Sequence, residues 1–232
     1  MNENVRFVDE WYRTFISHSD EKDILVNKIS DLIDRKKFHS CLEIGLGISP
    51  YFAEILGKHF NKYLIVEKRL YNHALPNKIG LINEDWETVK LNQKFDVIIA
   101  SHVIYYFKDK KIAIQKMFKM LNPGGVIFFV VNGKSADYGP MKIAFSKMTR
   151  QPYVFTYDEL MDIIGSRSYR EYTVPSTIKF DHMEELYDIL KISFDAWPKE
   201  YLELKDQIIR YLRSQLGSRR FIIDQKIIEV AN

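Results

Sequence analysis

Two apolar stripes of helical period open the chain, Val8, Trp11, Tyr12 and Phe15, then Leu25, Ile29, Leu32 and Ile33. Beyond residue 40 the pattern changes. Short apolar runs at 41–44, 63–66, 80–82, 95–100 and 126–131 alternate with helical segments at 51–60 and 109–121. Runs this short, rich in Val, Ile and Phe, predict strands buried on both faces, and their alternation with helices predicts a mostly parallel sheet. The last hundred residues predict helices near 141–149, 156–164, 181–194 and 198–216, with strands at 169–174 and 220–230.

The 232 residues, 46% hydrophobic and 28% charged, fit one soluble globular domain with a substantial core. The formal charge is +3, and the basic residues are interspersed with acids, so no nucleic-acid partner is expected. The single cysteine, Cys41, cannot form an intrachain disulfide and fits a reducing, cytoplasmic setting. The longest apolar run, 126–131, is too short to cross a bilayer, and the start carries charges and no signal-like core, so no membrane association is expected. The six histidines are scattered without ligand spacing, and no metal is expected.

The candidate chemistry begins at residues 41–50, where an apolar strand runs into Glu43-Ile44-Gly45-Leu46-Gly47. Gly45 and Gly47 permit a tight turn that a ligand can approach closely, and Ser49-Pro50 reads as an N-cap followed by proline at the first helical position. Pro50 stands where a dinucleotide fingerprint needs its third glycine, and Tyr51-Phe52 offers no Lys-Ser/Thr pair, so both phosphate-binding readings weaken. Glu67 ends the next strand 20 positions past Gly47, where a carboxylate can accept hydrogen bonds from both hydroxyls of a ribose. Asp85-Trp86, Asp96 and the turn Leu121-Asn122-Pro123-Gly124-Gly125 follow in order. A plain tight turn, a solvated Glu67, and an Asp85 that caps a turn while Trp86 enters the core are the structural alternatives.

Over residues 40–132 this series resembles the class I S-adenosylmethionine-dependent methyltransferases. The resemblance implies a Rossmann-like α/β fold: a seven-stranded, mostly parallel sheet with helices on both faces and an antiparallel last strand. It also implies S-adenosylmethionine as cofactor, held by Glu43, Gly45, Gly47, Glu67, Lys68, Asp85, Trp86 and Ser101. The chain then divides into N-terminal helices at 1–38, a cofactor-binding core at 39–135 and a helical cap at 181–216.

Residues 15–21, 105–109 and 130–135 are similar to the histamine N-methyltransferases. That resemblance implies a small-molecule amine or imidazole-like acceptor, with Glu21 binding the amine and Tyr12, Phe15, Tyr105 and Tyr106 walling the pocket. His102 stands where that family has Gln, and the last strand offers Asp224, so histamine itself is in doubt. His102 reads equally as a base, a donor or a satisfied strand-end histidine, and Glu21 as a helix-capping acid. The expected catalytic set is Glu21, His102, Tyr105 and Tyr106. Methylation of oxygen or carbon, a non-catalytic S-adenosylmethionine-binding regulator, and methylation of RNA or protein are the competing functions; monomer and homo-oligomer remain open.

Overall fold

In the computed structural model, the described residues are 8–69, 74–217 and 220–231. Two helices lead in, α1 (Asp9–His18) and α2 (Glu21–Asp34). The core then alternates: β1 (Ser40–Ile44), α3 (Tyr51–Leu56), β2 (Lys62–Val66), β3 (Ile79–Ile82), β4 (Phe95–Ser101), α4 (Lys110–Lys119) and β5 (Leu121–Asn132). Next come α5 (Tyr138–Thr149), α6 (Thr156–Ile164), β6 (Tyr169–Lys179), α7 (Met183–Leu190), α8 (Pro198–Glu203), α9 (Lys205–Gln215) and β7 (Arg220–Ala231).

The sheet has seven strands in the order β3-β2-β1-β4-β5-β7-β6. Strands β1 to β5 pair in parallel, whereas β7 runs antiparallel between β5 and β6. The predicted Rossmann-like sheet is therefore observed. The strand order reverses between β1 and β4, the switch point beside which ligands collect in open α/β sheets.

One face of the sheet buries Leu42, Ile44, Ile98 and Phe129 with α4 and α6, and the other buries Cys41, Val97, Ile99 and Phe128 with α2 and α3. This alternation explains why the central strands carry almost no polar positions. In β7 the residues from Gln225 onward pair with β5, and residues 220–224 run on past its carboxyl end beside β6. There Phe221 and Ile223 join Phe15, Phe145 and buried side chains of α7, α8 and α9 in a third cluster. The segment between β6 and β7 thus packs with α1 and α5 beyond the carboxyl end of β5.

Three local expectations are corrected. Ser49 does not cap α3; Pro50 itself precedes the helix, and its carbonyl accepts the Glu54 amide at 2.9 Å. Residues 122–125 do not precede β5 but lie within it. Leu121 pairs with Phe95 and Val126 with Val97, so the Asn-Pro-Gly-Gly sequence is extra chain accommodated opposite Asp96. Gly125 must be glycine there, because a Cβ would come 2.9 Å from the Asp96 carbonyl oxygen. The long helices expected at 181–194 and 198–216 are broken, by a 3-10 turn at Lys191–Phe194 and again at Leu204, the residue between α8 and α9.

Candidate active site

At the switch point the main chain leaves β1 through two left-handed glycines, Gly45 at φ +83° and Gly47 at φ +65°. A side chain at either would be strained, and a Cβ on Gly45 would sit 2.9 Å from Val103 Cγ2. Glu67, at the end of β2, turns its buried carboxylate back onto this loop: Oε2 accepts from the amides of Leu46 at 2.8 Å and Gly47 at 3.2 Å, and Oε1 accepts from the Arg69 amide at 2.9 Å. Glu67 is thus no merely solvated strand-end acid.

Glu43 lies beneath the same loop, buried and accepting from the Tyr63 hydroxyl at 2.8 Å. Burial pushes its carboxyl up to about 7, partly offset by the Tyr63 hydrogen bond and the Lys22 charge. Lys68 is exposed, and Ser101 is half-buried at the end of β4.

Trp86 departs from expectation, whereas Asp85 commits one of its two carboxylate oxygens locally. Asp85 Oδ1 accepts the Glu87 amide at 2.9 Å, holding a local turn. Trp86 is only 3% exposed and belongs to the core beneath α4; its indole N–H donates to the Ala113 carbonyl at 3.1 Å. Lys116 Nζ lies 4.4 Å from the centre of the indole. The expectation that Trp86 helps hold the cofactor is therefore corrected: the apolar face of α4 claims the ring.

Across the switch point, β4 is followed by His102, which adopts a left-handed backbone at φ +50°. Such strain in a residue with a Cβ, about 1–3 kcal/mol, persists where the surroundings impose it and concentrates at functional sites. His102 N–H donates to the Val130 carbonyl at 3.0 Å, which fixes the turn. Its ring stacks on Tyr105 with centroids 6.0 Å apart, and Nδ1 lies 3.4 Å from the Tyr105 hydroxyl. Nε2 points at Glu21 Oε1, 3.5 Å away, an ion-pair distance too long for a good hydrogen bond.

Glu21 does not cap α2 with its carboxylate. Ser19 Oγ accepts the Glu21 amide at 3.1 Å, and Asp20 Oδ1 accepts from the Thr177 amide at 2.7 Å. The Glu21 carboxylate is instead buried against β7, where Gln225 Nε2 donates to it at 2.8 Å and to Ser176 Oγ at 2.9 Å. Residues expected from distant parts of the chain, Glu21 and His102, are thus brought together. Gln225 is an unexpected third member, in place of Asp224, which faces the other way and accepts from Ser135 Oγ. Among the described residues, His102 Nε2, Gln225 Oε1 and Asn132 Oδ1 are buried without a hydrogen-bond partner.

Tyr105 and Tyr106 pack edge to face, 6.2 Å between centroids. The Tyr105 hydroxyl accepts the Asn132 amide at 2.8 Å, and that of Tyr106 donates to Asp195 Oδ2 at 3.2 Å. Burial raises the Asp195 carboxyl and lowers the Lys142 ammonium; Lys142 Nζ donates to the Ser193 carbonyl and lies 4.0 Å from the centre of the Phe194 ring. Tyr12 is half-buried beside Gly47. Phe15 stacks on Tyr12 but is only 5% exposed, in the third cluster, so it supports this wall from behind rather than lining it.

The donor set fits S-adenosylmethionine at its most demanding points. Two glycines bring main chain to the surface of the turn, Glu67 supplies a carboxylate beside it for a vicinal diol, and buried Glu43 lies below. No group of three or more His, Cys, Asp or Glu that could hold a metal ion occurs among the described residues, and none of their helices is long and apolar enough to cross a membrane.

Comparison with known proteins agrees with this geometry. A family described as Methyltransferase domain matches residues 16–173. The malonyl-[acyl-carrier protein] O-methyltransferase of Calditerrivibrio nitroreducens is 23% identical over 145 residues, 61% of this chain and 57% of that protein. An uncharacterized methyltransferase of Bacillus cereus is 25% identical over 134 residues, 52% of this chain and 63% of that one. The chain spans about half the length of the curated malonyl-[acyl-carrier protein] O-methyltransferases it matches.

Among solved structures, the N-methyltransferase NodS of Bradyrhizobium japonicum bound to S-adenosyl-L-homocysteine superposes with a TM-score of 0.52 at 16% identity, covering 91% of this chain and 86% of that one. A Thermotoga maritima methyltransferase described as a possible histamine N-methyltransferase gives 0.55 at 17% identity, covering 98% and 96%. At these identities the structural likeness establishes the fold.

Proposed function

The chain belongs to the methyltransferase domain family, and from that premise we propose that it transfers a methyl group from S-adenosylmethionine to a nitrogen of a small amine or imidazole-like molecule. The observation that carries this reading is the Glu21–His102–Gln225 cluster after β4, in which Glu21 and Gln225 are buried and His102 is half-buried, at the same end of the sheet as the glycine turn. When bound, S-adenosylmethionine would supply a sulfonium-bound methyl for in-line attack by an acceptor lone pair, the S–CH3 bond breaking and the neutral thioether leaving as S-adenosylhomocysteine. An ammonium has no lone pair, so the acceptor must lose its proton first. Glu21 Oε1 or His102 Nε2 takes that proton, and the same groups orient the nitrogen.

Gln225 holds the Glu21 carboxylate through Nε2 and turns Oε1 to an acceptor N–H. Tyr105, Tyr106 and Tyr12 present ring faces that tolerate both a sulfonium and a cationic product. The helices between β6 and β7 cap the site and keep water from it.

Methyl transfer to oxygen is the second reading, favoured by the sequence likeness to malonyl-[acyl-carrier protein] O-methyltransferases. The deciding experiment incubates the purified protein with methyl-labelled S-adenosylmethionine and a panel of amines, imidazoles, phenols, indoles and carboxylic acids. Label on an amine or imidazole nitrogen supports the proposal. Label confined to phenols or carboxylic acids overturns it in favour of the second reading.

A further inference from the structure

Lys22 follows Glu21 in the first turn of α2, at the electropositive end of the helix, where acids such as Glu21 and Asp23 are favoured and a cation is not. Helix stability does not account for it. Its Nζ lies 5.5 Å from the centre of the Tyr12 ring, and Tyr12 in turn stands against Gly47, where a Cβ would be 3.5 Å from Tyr12 Cε1. The ammonium and the glycine turn thus both lie against the Tyr12 ring. Among the described residues it makes no hydrogen bond and no ion pair within salt-bridge distance. Burial lowers its pKa, opposed by the charges of Glu43 and Glu21. Lys22 is therefore a half-buried cation held near two carboxylates but committed to neither.

S-adenosylmethionine carries one anionic group, the α-carboxylate of its amino-acid end; its other charges, the sulfonium and the α-ammonium, are cationic. A lysine beside the turn has one attractive partner in that molecule, and the sulfonium repels it from the methyl. Resting on the cofactor reading above, we propose that Lys22 binds the α-carboxylate of S-adenosylmethionine, with buried Glu43 as the counter-charge toward its α-ammonium. The pair then recognises a zwitterion, one charge for each, and fixes which way the amino-acid end points.

The test compares two ligands by titration calorimetry: S-adenosylhomocysteine, which keeps the carboxylate, and 5′-methylthioadenosine, which lacks the amino-acid end. Lys22→Met is expected to weaken S-adenosylhomocysteine by about tenfold or more, the loss of one charge-assisted contact, and to change methylthioadenosine by less than about twofold. Lys22→Arg is expected to restore most of the loss. Unchanged methylthioadenosine affinity also certifies that the variant is folded. Equal losses for both ligands, or none for either, overturn the assignment while leaving cofactor binding intact. Wild-type protein that binds neither ligand overturns the cofactor reading with it.

Discussion

The two sides of the switch point treat their polar groups in opposite ways. Beside β1 and β2, Glu67 accepts three main-chain amides, Glu43 accepts the Tyr63 hydroxyl and Asp85 accepts the Glu87 amide. Beside β4, β5 and β7, the buried atoms His102 Nε2, Gln225 Oε1 and Asn132 Oδ1 have no hydrogen-bond partner among the described residues, although His102 Nε2 lies 3.5 Å from Glu21 Oε1. A buried unpaired polar atom costs about 1–3 kcal/mol, so a fold keeps such atoms only where something offsets them. The first side is a cradle built by the main chain. The second has side-chain hydrogen-bonding capacity to spend on a ligand, and it holds His102 in a strained backbone at φ +50°.

The largest effect should come from breaking the second side. Glu21→Gln and His102→Gln each replace one of the two groups that take the acceptor's proton or orient its nitrogen with a non-basic amide, and each is expected to lower turnover by about 10²–10⁴-fold. Neither touches the cradle, so affinity for S-adenosylhomocysteine should stay within about twofold. Steady-state rates with the acceptor found by the labelling panel, beside calorimetry on the same proteins, check both halves. Wild-type turnover in both variants would move the acceptor site elsewhere under α7 to α9.

Next in size is Trp86→Ala, which separates packing from ligand stacking. The indole is buried under α4, so its removal should cost about 3–5 kcal/mol in urea unfolding, with cofactor affinity of the folded protein nearly unchanged. The reverse result, normal stability with collapsed affinity, would return the ring to the cofactor site.

The cradle side also carries a pH signature. Glu43 ionises near 4.5 in an unfolded chain and near 7 in the fold. Between these values the folded protein holds a proton the unfolded chain has released. The linked stability is therefore complete below about pH 4.5 and is lost as pH rises through about 7, a change of roughly 3 kcal/mol. Glu43→Gln keeps an acceptor for Tyr63 and cannot ionise, so its unfolding free energy should lack this decline. Parallel wild-type and variant curves between pH 5 and 8 would remove Glu43 as its source.

Sequence made the cradle legible because its determinants are local. Two glycines, a strand-end acid and the periodicity around them report directly on backbone shape, and the sheet follows from the alternation of runs. The acceptor side depends on contacts between residues far apart in the chain, which spacing does not reveal. Glu21 and His102 were reachable through resemblance, but Gln225 was not, although one signal was available. Phe221, Ile223, Gln225 and Ile227 share the inward parity of β7, and a lone amide among buried apolar residues marks a polar site. Asp224 has the opposite parity. Trp86 misled because a tryptophan beside a strand-end acid suits a ligand wall and a core equally well, and only the position of α4 decides. Lys142 and Asp195 come together through the broken helices after β6, which no short-range pattern encodes.

The smallest expected effect sharpens the comparison most. Glu67 holds the loop through the amides of Leu46 and Gly47 and is also proposed to accept from the cofactor's ribose, so one carboxylate serves both shape and binding. Glu67→Ala removes both roles. Affinity for S-adenosylhomocysteine should fall by about 1.5–3 kcal/mol for the lost charge-assisted hydrogen bonds. Stability should fall by about 1–3 kcal/mol, because the buried Leu46 amide loses its acceptor while the fold around it keeps its core. Glu67→Gln separates the roles. Its carbonyl oxygen can accept the loop amides, but its NH₂ offers a donor where a diol needs an acceptor, so stability should recover more than affinity. Calorimetry and urea unfolding on the three proteins give both numbers. A Gln variant with wild-type affinity would mean that Glu67 only shapes the loop, and the cradle would then hold the cofactor through its main chain alone.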